Sequence, residues 1–331
     1  MNYRKFGNTD LQVSEIGFGA WAIGGASRVG NIAIGWGATD DDVSKQAVTA
    51  ALDAGINFFD TADFYGLGHS EKLIGEVIGN RSDVIVATKV GQRVGSNDEI
   101  VHDNSKAYII EACEQSLKRL RRDVIDYYQL HVGKLSSLQE GENIDAMQTL
   151  QQQGKIRYWG HSLFTWNPEP EAKFLMDNKL GDGFQLVLNL ANQRAIPVME
   201  AAAKMGYGIV ARMPLQFGLL SGKIKASHEF NTEDHRSFRL TPEIIQRTQD
   251  IIKTEIIPMA KQYETDPAGL ALSFVLNFPE VSTVIPGIRT VQHVQMNTRP
   301  PVKLSAFDID YLKDLFYTKW KKVTELMEKQ G

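Results

Sequence analysis

The stretch Ile56–Asp60, INFFD, is a short apolar run that ends in a carboxylate. Two similar runs follow it along the chain: Val84–Lys89 ends in an ammonium group, and Asp126–His131 ends in an imidazole. Their lengths and their content of β-branched and aromatic residues are typical of strands buried in a parallel sheet. The stretch therefore predicts a sheet whose strands end in ionisable side chains.

More runs of this kind lie downstream, and helical patterns separate them. The further predicted strands are Ile156–Ser162, Gly183–Leu188, Ile209–Arg212 and Val281–Pro286. Asp40–Asp42 begins one helix with the acidic residues that a helix N-terminus favours, and Ser105 can cap the next long helix. Strands that alternate with helices this often indicate an α/β fold.

Two α/β architectures fit this alternation: a doubly wound sheet and a (β/α)₈ barrel. A doubly wound sheet normally carries a glycine-rich turn after its first strand. The nearest candidate, Gly17–Trp21, lacks the third glycine of such a turn and opens no obvious helix. We therefore predict a single (β/α)₈ barrel, a TIM barrel, over residues 1–331, a length that these barrels routinely use.

Two segments fall outside the repeat. Arg4–Val13, with Asn8–Asp10 at its turn, predicts a β-hairpin that could plug one end of the barrel. Pro214–Leu240, after the seventh strand, is longer than an ordinary connection. Loops of that size in compact domains are usually functional.

The composition narrows the class of protein and its partners. Hydrophobic residues make up 43% of the chain and charged residues 23%, with a formal net charge of −4, so we expect no nucleic-acid partner. No apolar run approaches the length that spans a bilayer, and Met1–Lys5 lacks the features of a secretory signal, so we expect a cytoplasmic protein without a membrane partner. The single cysteine, Cys113, excludes an intrachain disulfide. Without an exposed heptad or a large apolar edge, we expect a monomer or a weak dimer.

Four ionisable side chains fall where a barrel of this kind places its active site, at the C-terminal ends of strands and in the loops after them. They are Asp60, Lys89 and His131 at strand ends, and Tyr65 in the loop after Asp60. Each residue also has an interpretation without a catalytic role. Asp60 could cap the turn that follows it, and Lys89 could be a solvated charge. His131 could be a histidine buried in the core, and Tyr65 could be an aromatic residue packed within its loop. Three successive strands that all end in an ionisable residue favour a common site.

Together these four residues suit the reduction of a carbonyl group. Hydride transfer to a carbonyl leaves an alkoxide that needs a proton, and a phenol such as Tyr65 is a weak acid with a pKa of about 10. A neighbouring Lys89 ammonium would lower that pKa, and Asp60 would keep a buried ammonium charged. His131 could donate a hydrogen bond to the carbonyl oxygen.

These residues resemble the catalytic tetrad of the aldo-keto reductase superfamily, which is likewise Asp, Tyr, Lys and His. Other matching motifs are Gly66–Glu71 with Leu73–Gly75, Ser116–Leu120, Gly154–Arg157, Pro214–Leu215 with Gly218–Lys223, and Ile285–Gly287 with Asn297. The resemblance covers almost all of the chain. It is strongest to the bacterial branch near the general-stress and inositol-cluster reductases.

The resemblance implies an NADPH-dependent oxidoreductase that reduces aldehydes or ketones to alcohols, with Tyr65 as the proton donor and NADPH extended across the barrel mouth. Ser162 and Gln185 would hold the nicotinamide carboxamide, and the loop Pro214–Lys223 would close over the pyrophosphate. Arg289, with Arg236, would face the 2′-phosphate. The residues that it implies in cofactor binding are Ala20, Trp21, Asp60, Ser162, Gln185, Arg212, Met213, Pro214, Leu215, Gly218, Leu219, Gly222, Lys223, Arg236, Gly287, Arg289, His293 and Asn297. It implies no metal site.

Three positions depart from the commoner pattern of that family. Leu163 stands where asparagine is frequent, which removes one hydrogen bond to the carboxamide. Arg212 stands where an aromatic residue often stacks on the nicotinamide, although a planar guanidinium can stack as well. His293 stands where Arg or Gln often contacts the adenosine end, and we therefore expect only a modest preference for NADPH over NADH.

The sequence leaves the substrate and two alternative functions open. Trp21, Phe64, Trp36 and Trp166 could line an aromatic pocket for aldehydes with apolar bodies, or they could be scattered core residues. The first alternative function is a redox-sensing or regulatory module of the same fold that binds the cofactor and turns over slowly. The second is a metal-dependent barrel hydrolase or isomerase, which needs clustered ligands at strand ends, where only His131 qualifies.

Overall fold

The computed structural model describes residues 1–131 and 133–331. Its strands, in chain order, are β1 (Tyr3–Lys5), β2 (Gln12–Ser14), β3 (Phe18–Gly19), β4 (Arg28–Val29), β5 (Ile32–Ala33), β6 (Phe58–Asp60), β7 (Ile85–Val90), β8 (Gln92–Val94), β9 (Ile100–His102), β10 (Ile125–His131), β11 (Ile156–Ser162), β12 (Gly183–Val187), β13 (Gly208–Arg212) and β14 (Thr283–Ile285). Its α-helices are α1 (Asp41–Asp53), α2 (His69–Val77), α3 (Lys106–Leu120), α4 (Leu135–Glu140), α5 (Glu142–Gln152), α6 (Glu169–Asp177), α7 (Ile196–Lys204), α8 (Arg236–Arg239), α9 (Pro242–Ile251), α10 (Ile257–Gln262), α11 (Pro267–Leu276), α12 (Val291–Asn297), α13 (Ala306–Leu315) and α14 (Lys321–Glu328). Short 3₁₀ turns lie at Ala20–Ile23 and Gln216–Ser221.

Eight strands form one parallel sheet in the order β14, β13, β12, β11, β10, β7, β6, β3. The two outer strands of this order meet, because Gly17 N donates to Val284 O at 2.8 Å and Gly19 N donates to Pro286 O at 3.0 Å. The sheet therefore closes into a barrel, and the predicted (β/α)₈ fold is confirmed.

The first barrel strand, β3, lies inside the segment Gly17–Trp21. That segment is the nearest match to a phosphate-binding turn, yet it forms a two-residue strand followed by a single 3₁₀ turn. A strand of two residues carries no readable alternation of polar and apolar side chains. The other seven barrel strands fall on the runs that predict them.

Short polar side chains cap helix N-termini, including those of α1 and α3. Asp40 Oδ1 accepts a hydrogen bond from Val43 N at the start of α1, and Ser105 Oγ accepts one from Tyr108 N at the start of α3. These bonds satisfy backbone N–H groups that have no partner inside a helix.

Within residues 1–131 and 133–331, no helix combines the length and the apolar character needed to cross a bilayer.

The N-terminal hairpin seals one end of the barrel. Strands β1 and β2 pair antiparallel, and the turn between them inserts Phe6, which is fully buried against Phe58 and Tyr127. A Cβ at Gly208 would come within 2.5 Å of the Phe6 ring, and one at Gly183 within 2.7 Å. Glycines at the starts of β12 and β13 therefore leave the space that this ring fills.

Three connections cover the opposite end. They are the hairpin β4–β5, the hairpin β8–β9 and the long segment after β13. The first two touch at their tips, because a Cβ at Gly30 would lie 2.8 Å from Asp98 O. The chain after β5 then meets the long segment, where His235 N donates to Gly35 O at 2.9 Å. All three connections therefore surround one mouth of the barrel.

Candidate active site

A cavity of about 640 Å³ lies inside this mouth. Because the barrel strands are parallel, their carboxyl ends meet at one rim, and the residues at those ends face a common space. Asp60, His131, Ser162, Gln185 and Arg212 all line the cavity from strand ends. The predicted strand-end residues are thus brought together, with Tyr65 among the lining side chains.

Lys89 lies behind Tyr65 and connects it to the strand ends. Its ammonium group is fully buried and donates to Asp60 Oδ1 at 2.6 Å, to Thr61 O at 2.9 Å and to Tyr65 Oη at 3.0 Å. An ammonium has three N–H groups, and each has an acceptor here. Lys89 therefore holds the phenol oxygen in one place at the wall of the cavity.

Burial and charge set the protonation states in this group. Burial raises the pKa of Tyr65 above its usual value, and the nearby Lys89 ammonium, which lowers it, does not fully compensate. The expected lowering by Lys89 is present, but the net direction is upward because desolvation disfavours the phenolate. Burial lowers the pKa of Lys89, but Asp60 and Tyr65 raise it by more, so the ammonium stays charged.

His131 is a neutral imidazole beside Tyr65. Burial, followed by the positive charge of Lys89, holds its pKa well below the usual value. The two rings are 6.1 Å apart at 78°, and Trp21 packs edge-on against Tyr65 at 4.8 Å. Within the described part of the chain, His131 Nδ1 is buried without a hydrogen-bond partner. His131 also lines the cavity, so its ring can contact a ligand there.

Two buried amides complete the surroundings of Asp60. Gln129 Nε2 donates to Asp60 Oδ2 at 3.1 Å, and Gln185 Nε2 donates to the same oxygen at 2.7 Å. Gln185 is among the residues predicted to bind a ligand, whereas Gln129 is not. Gln129 lies two positions before His131 on β10, so strand alternation places both side chains on one face. That spacing is a signal that could have identified it.

The part of the cavity next to the long segment is rich in positive charge. Of the residues that line the cavity, Asp60 is acidic and five are basic: Arg212, Lys223, Arg236, Arg239 and Arg289. Such a surface favours an anionic ligand.

Lys223 and Arg289 are two predicted cations that no described carboxylate neutralises. Neither forms an ion pair with residues 1–131 or 133–331, and Arg289 Nη1 lies 3.5 Å from Trp36 O. Both line the cavity. They are therefore available to neutralise phosphate.

Arg236, in contrast, is already paired. Its guanidinium binds both carboxylate oxygens of Asp234 at 2.6–3.1 Å and stacks on Trp36 at 4.7 Å from the ring centre. Of the two arginines predicted to face a phosphate, Arg289 is free and Arg236 shares its charge with a carboxylate.

Arg212 is held by a backbone carbonyl and a threonine hydroxyl rather than by a carboxylate. Its Nη2 donates to Leu163 O at 3.0 Å and to Thr165 Oγ1 at 3.2 Å. These contacts hold the planar guanidinium at the strand end, where it lines the cavity. Leu163, 1% exposed, also borders the cavity and offers no side-chain amide there.

The other predicted ligand-binding residues divide into two groups. Those that line the cavity are Ala20, Trp21, Met213, Pro214, Leu215, Gly218, Gly287, His293 and Asn297. Leu219 and Gly222 are not part of the lining, and the Leu219 side chain is fully buried in the core. Leu219 can therefore offer only backbone groups to a ligand.

The backbone around these residues is unusual. Met213, Gln216 and Phe217 all have φ between 43° and 58°, and Gly218 follows at 88°. Left-handed backbone is uncommon for residues other than glycine, and such strain tends to collect at functional loops. This run is therefore a candidate ligand-binding loop.

The aromatic residues at the mouth of the barrel pack against different neighbours. Trp21 and Phe64 belong to an apolar wall with Val29, Ile34, Val94 and Ile100. Trp36 lies over Gly287 instead, where a Cβ would come within 3.1 Å of its ring. Trp166 lines the cavity while Arg194 stacks on it.

His235 is a site residue that sequence reasoning did not identify. It is buried between Trp21 and Phe217, at 5.5 and 5.1 Å, and burial lowers its pKa to about 4. The segment around it is irregular, so no periodic pattern in the sequence marks it as buried.

Comparison with known proteins finds relatives of this chain among oxidoreductases and aldo-keto reductases. A sequence model of the aldo/keto reductase family matches residues 15–316. The "Uncharacterized oxidoreductase YqkF" of Bacillus subtilis (strain 168) is 31% identical over 301 residues, which are 90% of this chain and 90% of that protein. The solved aldo-keto reductase AKR11C1 from Bacillus halodurans, in its holo form, aligns with a TM-score of 0.75 and 29% identity over 95% of this chain and 96% of that one. An aldo-keto reductase from Klebsiella pneumoniae in complex with NADPH aligns with a TM-score of 0.69 and 25% identity over 95% of each chain.

Proposed function

Because the chain belongs to the aldo/keto reductase family, an oxidoreductase family, we propose that it uses NADPH to reduce aldehydes or ketones to alcohols, with Tyr65 as the proton donor. The observation that carries this proposal is the position of Tyr65 Oη, 3.0 Å from the buried Lys89 ammonium at the wall of the cavity. A phenol held by an ammonium beside an open space is suited to give a proton to a ligand in that space.

The side chains around the cavity fit NADPH. Gln185 Oε1 is buried and has no partner among the described residues, and Ser162 lies beside it in register, so the pair can hold a carboxamide. Lys223 and Arg289 supply positive charge for phosphate groups. The relative from Klebsiella pneumoniae was solved with NADPH, which supports the choice of cofactor. When bound, NADPH supplies the hydride.

Residues of the chain itself donate the proton and stabilise the group that loses it. Tyr65 gives its hydroxyl proton to the carbonyl oxygen of the substrate as negative charge develops there. Lys89 remains charged beside the resulting phenolate and stabilises it, while Asp60 keeps Lys89 in place. His131, which is neutral because burial lowers its pKa, can donate a ring N–H to the same oxygen.

A direct assay tests the proposed function. The purified protein is mixed with NADPH and a panel of aldehydes and ketones, and the loss of nicotinamide absorbance is followed. We expect repeated turnover with at least one carbonyl compound. Tight NADPH binding without repeated turnover on any of them would contradict the reductase and favour the sensing or regulatory module.

We also propose that the protein acts as a monomer or a weak dimer with a small-molecule carbonyl substrate. Its large exposed apolar side chains, such as Tyr3, Met205 and Phe307, are spread over separate elements. Light scattering should give a mass near 37.0 kDa at low concentration. A stable ring of subunits would contradict this expectation.

A further inference from the structure

A buried polar network joins the proposed proton donor to the amide of Gln185, a residue that lines the cavity. Asp60 Oδ1 accepts from Lys89, and Asp60 Oδ2 accepts from Gln129 and Gln185. Gln185 Nε2 also donates to Gln129 Oε1 at 3.1 Å. Asp60, Gln129 and Gln185 are each at most 2% exposed, so water does not compete for these bonds.

Hydrogen-bond chemistry fixes which way both amides point. An ionised carboxylate accepts hydrogen bonds and cannot donate them, so both glutamines must turn their nitrogen atoms toward Asp60. Gln129 then presents its oxygen to Gln185, and this oxygen accepts the second N–H of Gln185. Both N–H groups of Gln185 are thereby used inside the barrel. Its Oε1 is directed away from Asp60 and stays unpartnered within the described structure.

The position of Gln129 on its strand suits this role. It pairs in register with Lys89 on β7, so the amide and the ammonium lie side by side and bind the two oxygens of one carboxylate. Gln129 does not line the cavity, whereas Gln185 does. Any effect of Gln129 on a ligand must therefore pass through Asp60 or Gln185.

We propose that Gln129 is a positioning residue that locks the Gln185 amide with its oxygen toward the cavity, where it accepts a hydrogen bond from the carboxamide N–H of the nicotinamide. Without the Gln129 oxygen, one N–H of Gln185 would lose its buried acceptor. Leaving a buried donor unpaired is unfavourable, and the amide would then be held by its bond to Asp60 alone, so it could swing about that bond and its oxygen would no longer be fixed. The inference rests on the proposed function, because it takes a nicotinamide cofactor as the ligand.

Equilibrium binding of two ligands tests the inference. The first is NADP⁺, and the second is its 3-acetylpyridine analogue, in which a methyl ketone replaces the carboxamide and removes its N–H groups. One hydrogen bond to a neutral acceptor corresponds to a binding preference of about 2- to 10-fold for NADP⁺. We expect this preference in the native protein and expect it to fall in Gln129→Leu, where Asp60 alone holds the Gln185 amide.

A double-mutant cycle shows whether Gln129 acts through Gln185. Gln185→Leu should abolish the preference for NADP⁺, and adding Gln129→Leu to it should cause no further loss. Gln193→Leu is the matched control, since Gln193 is a buried glutamine that donates to Leu190 O and Leu312 O and does not line the cavity. The control should keep the native preference.

The pH dependence of catalysis provides a second readout that a merely structural role would not change. Removing the Gln129 donor leaves the negative charge of Asp60 less well stabilised by hydrogen bonds. The effect of that charge on Tyr65, which is to raise the pKa of the phenol, is then stronger. Since reduction needs protonated Tyr65, the alkaline limb of the kcat/KM profile should move to higher pH in Gln129→Leu and stay in place in the control. If Gln129→Leu does not fold, Gln129→Met, which keeps an unbranched side chain of similar length, replaces it in both measurements.

The outcomes separate this inference from the proposed function. A native protein that does not bind NADP⁺ overturns both. A native preference for NADP⁺ that survives in Gln129→Leu overturns the inference alone, as does a native protein that binds both ligands equally well. Loss of the preference in Gln129→Leu and Gln185→Leu, without further loss in the double variant, supports it.

Discussion

At the scale of single residues, Lys89 determines the geometry of the proposed proton donor. Its three acceptors are all within 3.0 Å, so the ammonium cannot turn without breaking a bond to Asp60, Thr61 or Tyr65. Tyr65→Phe keeps the ring and removes the acid, so reductase activity should fall by on the order of 10² or more. The dissociation constant of NADPH, measured by fluorescence titration, should change little. Near-native activity in Tyr65→Phe would show that another group donates the proton.

A change at Lys89 tests the sign of the charge effect. Lys89 lowers the pKa of Tyr65, so Lys89→Met should raise it as well as reduce activity. Reduction is lost as the pH rises through the pKa of Tyr65, and the alkaline limb of the kcat/KM profile should therefore move to higher pH. A limb that stays in place or moves to lower pH would contradict this interpretation of the Lys89–Tyr65 pair.

We expect the choice between NADPH and NADH to depend on a single residue as well. Arg289 lines the cavity and forms no ion pair with the residues that the structure describes. A charge-assisted bond to a phosphate is worth about 1.5–3 kcal/mol, or roughly a 10- to 100-fold difference in affinity. Arg289→Ala should weaken NADPH binding by this order and leave NADH nearly unchanged. Dissociation constants for both cofactors check it. Equal weakening of both would mean that Arg289 serves the pyrophosphate or the fold.

At the scale of elements, two connections form a clasp over the mouth, made of Gly35–Trp36 and Asp234–Arg236. Trp36 forms a β-bridge with Asp234, and the Arg236 guanidinium stacks on the Trp36 ring. Cation–π contacts of this kind are worth about 0.5–2 kcal/mol. Trp36→Ala should open the clasp and speed NADPH release about 3- to 10-fold in stopped-flow displacement. Trp166→Ala, which removes a cavity tryptophan outside the clasp, is the control and should release NADPH at the native rate.

The extent to which the sequence predicts an element depends on the length and regularity of that element. β10 and β11 have seven residues each and can be read from their apolar runs, whereas the two residues of β3 cannot. The clasp was not predictable, since it joins segments about 200 positions apart that carry no repeat. Strand ends place Asp60, Lys89 and His131 correctly, because parallel strands share one rim.

Other features of the site depend on the three-dimensional environment. The Tyr65 pKa rises because desolvation outweighs Lys89, and the degree of burial cannot be read from a motif. The pairing of Arg236 with Asp234, two positions earlier, likewise depends on how the loop folds. Gln129 is different, because alternation along β10 already points it the same way as His131. The roles of the cofactor-binding residues stay predictions.

At the scale of the whole molecule, buried imidazoles make stability depend on pH. Burial lowers the pKa of His161 to about 4, and its Nε2–H donates to Gly133 O at 2.9 Å. An unfolded histidine takes up a proton near pH 6.5, so between pH 6.5 and 4 the unfolded state binds more protons and stability falls as the pH falls. A depression from 6.5 to about 4 corresponds to about 3 kcal/mol.

Replacement of His161 tests this dependence. His161→Gln keeps a donor for Gly133 O and cannot titrate, so from pH 7 to 4 it should lose about 3 kcal/mol less unfolding free energy than the native protein. Urea unfolding at each pH measures the difference. Burial raises the pKa of Asp63, which acts in the opposite direction, but this contribution cancels in the comparison. His228→Gln, at an exposed position, is the control. Parallel losses in His161→Gln and the native protein would contradict the prediction.

The closure of the barrel has a consequence for synthesis on the ribosome. β3 pairs with β14, and the Phe6 ring sits between the starts of β12 and β13, so residues near the start of the chain need partners that are made much later. Until β14 emerges, the nascent sheet has two open edges, and such edges invite pairing with other chains. We therefore expect the nascent chain to be open to pairing with other chains until β14 has been made and the barrel can close.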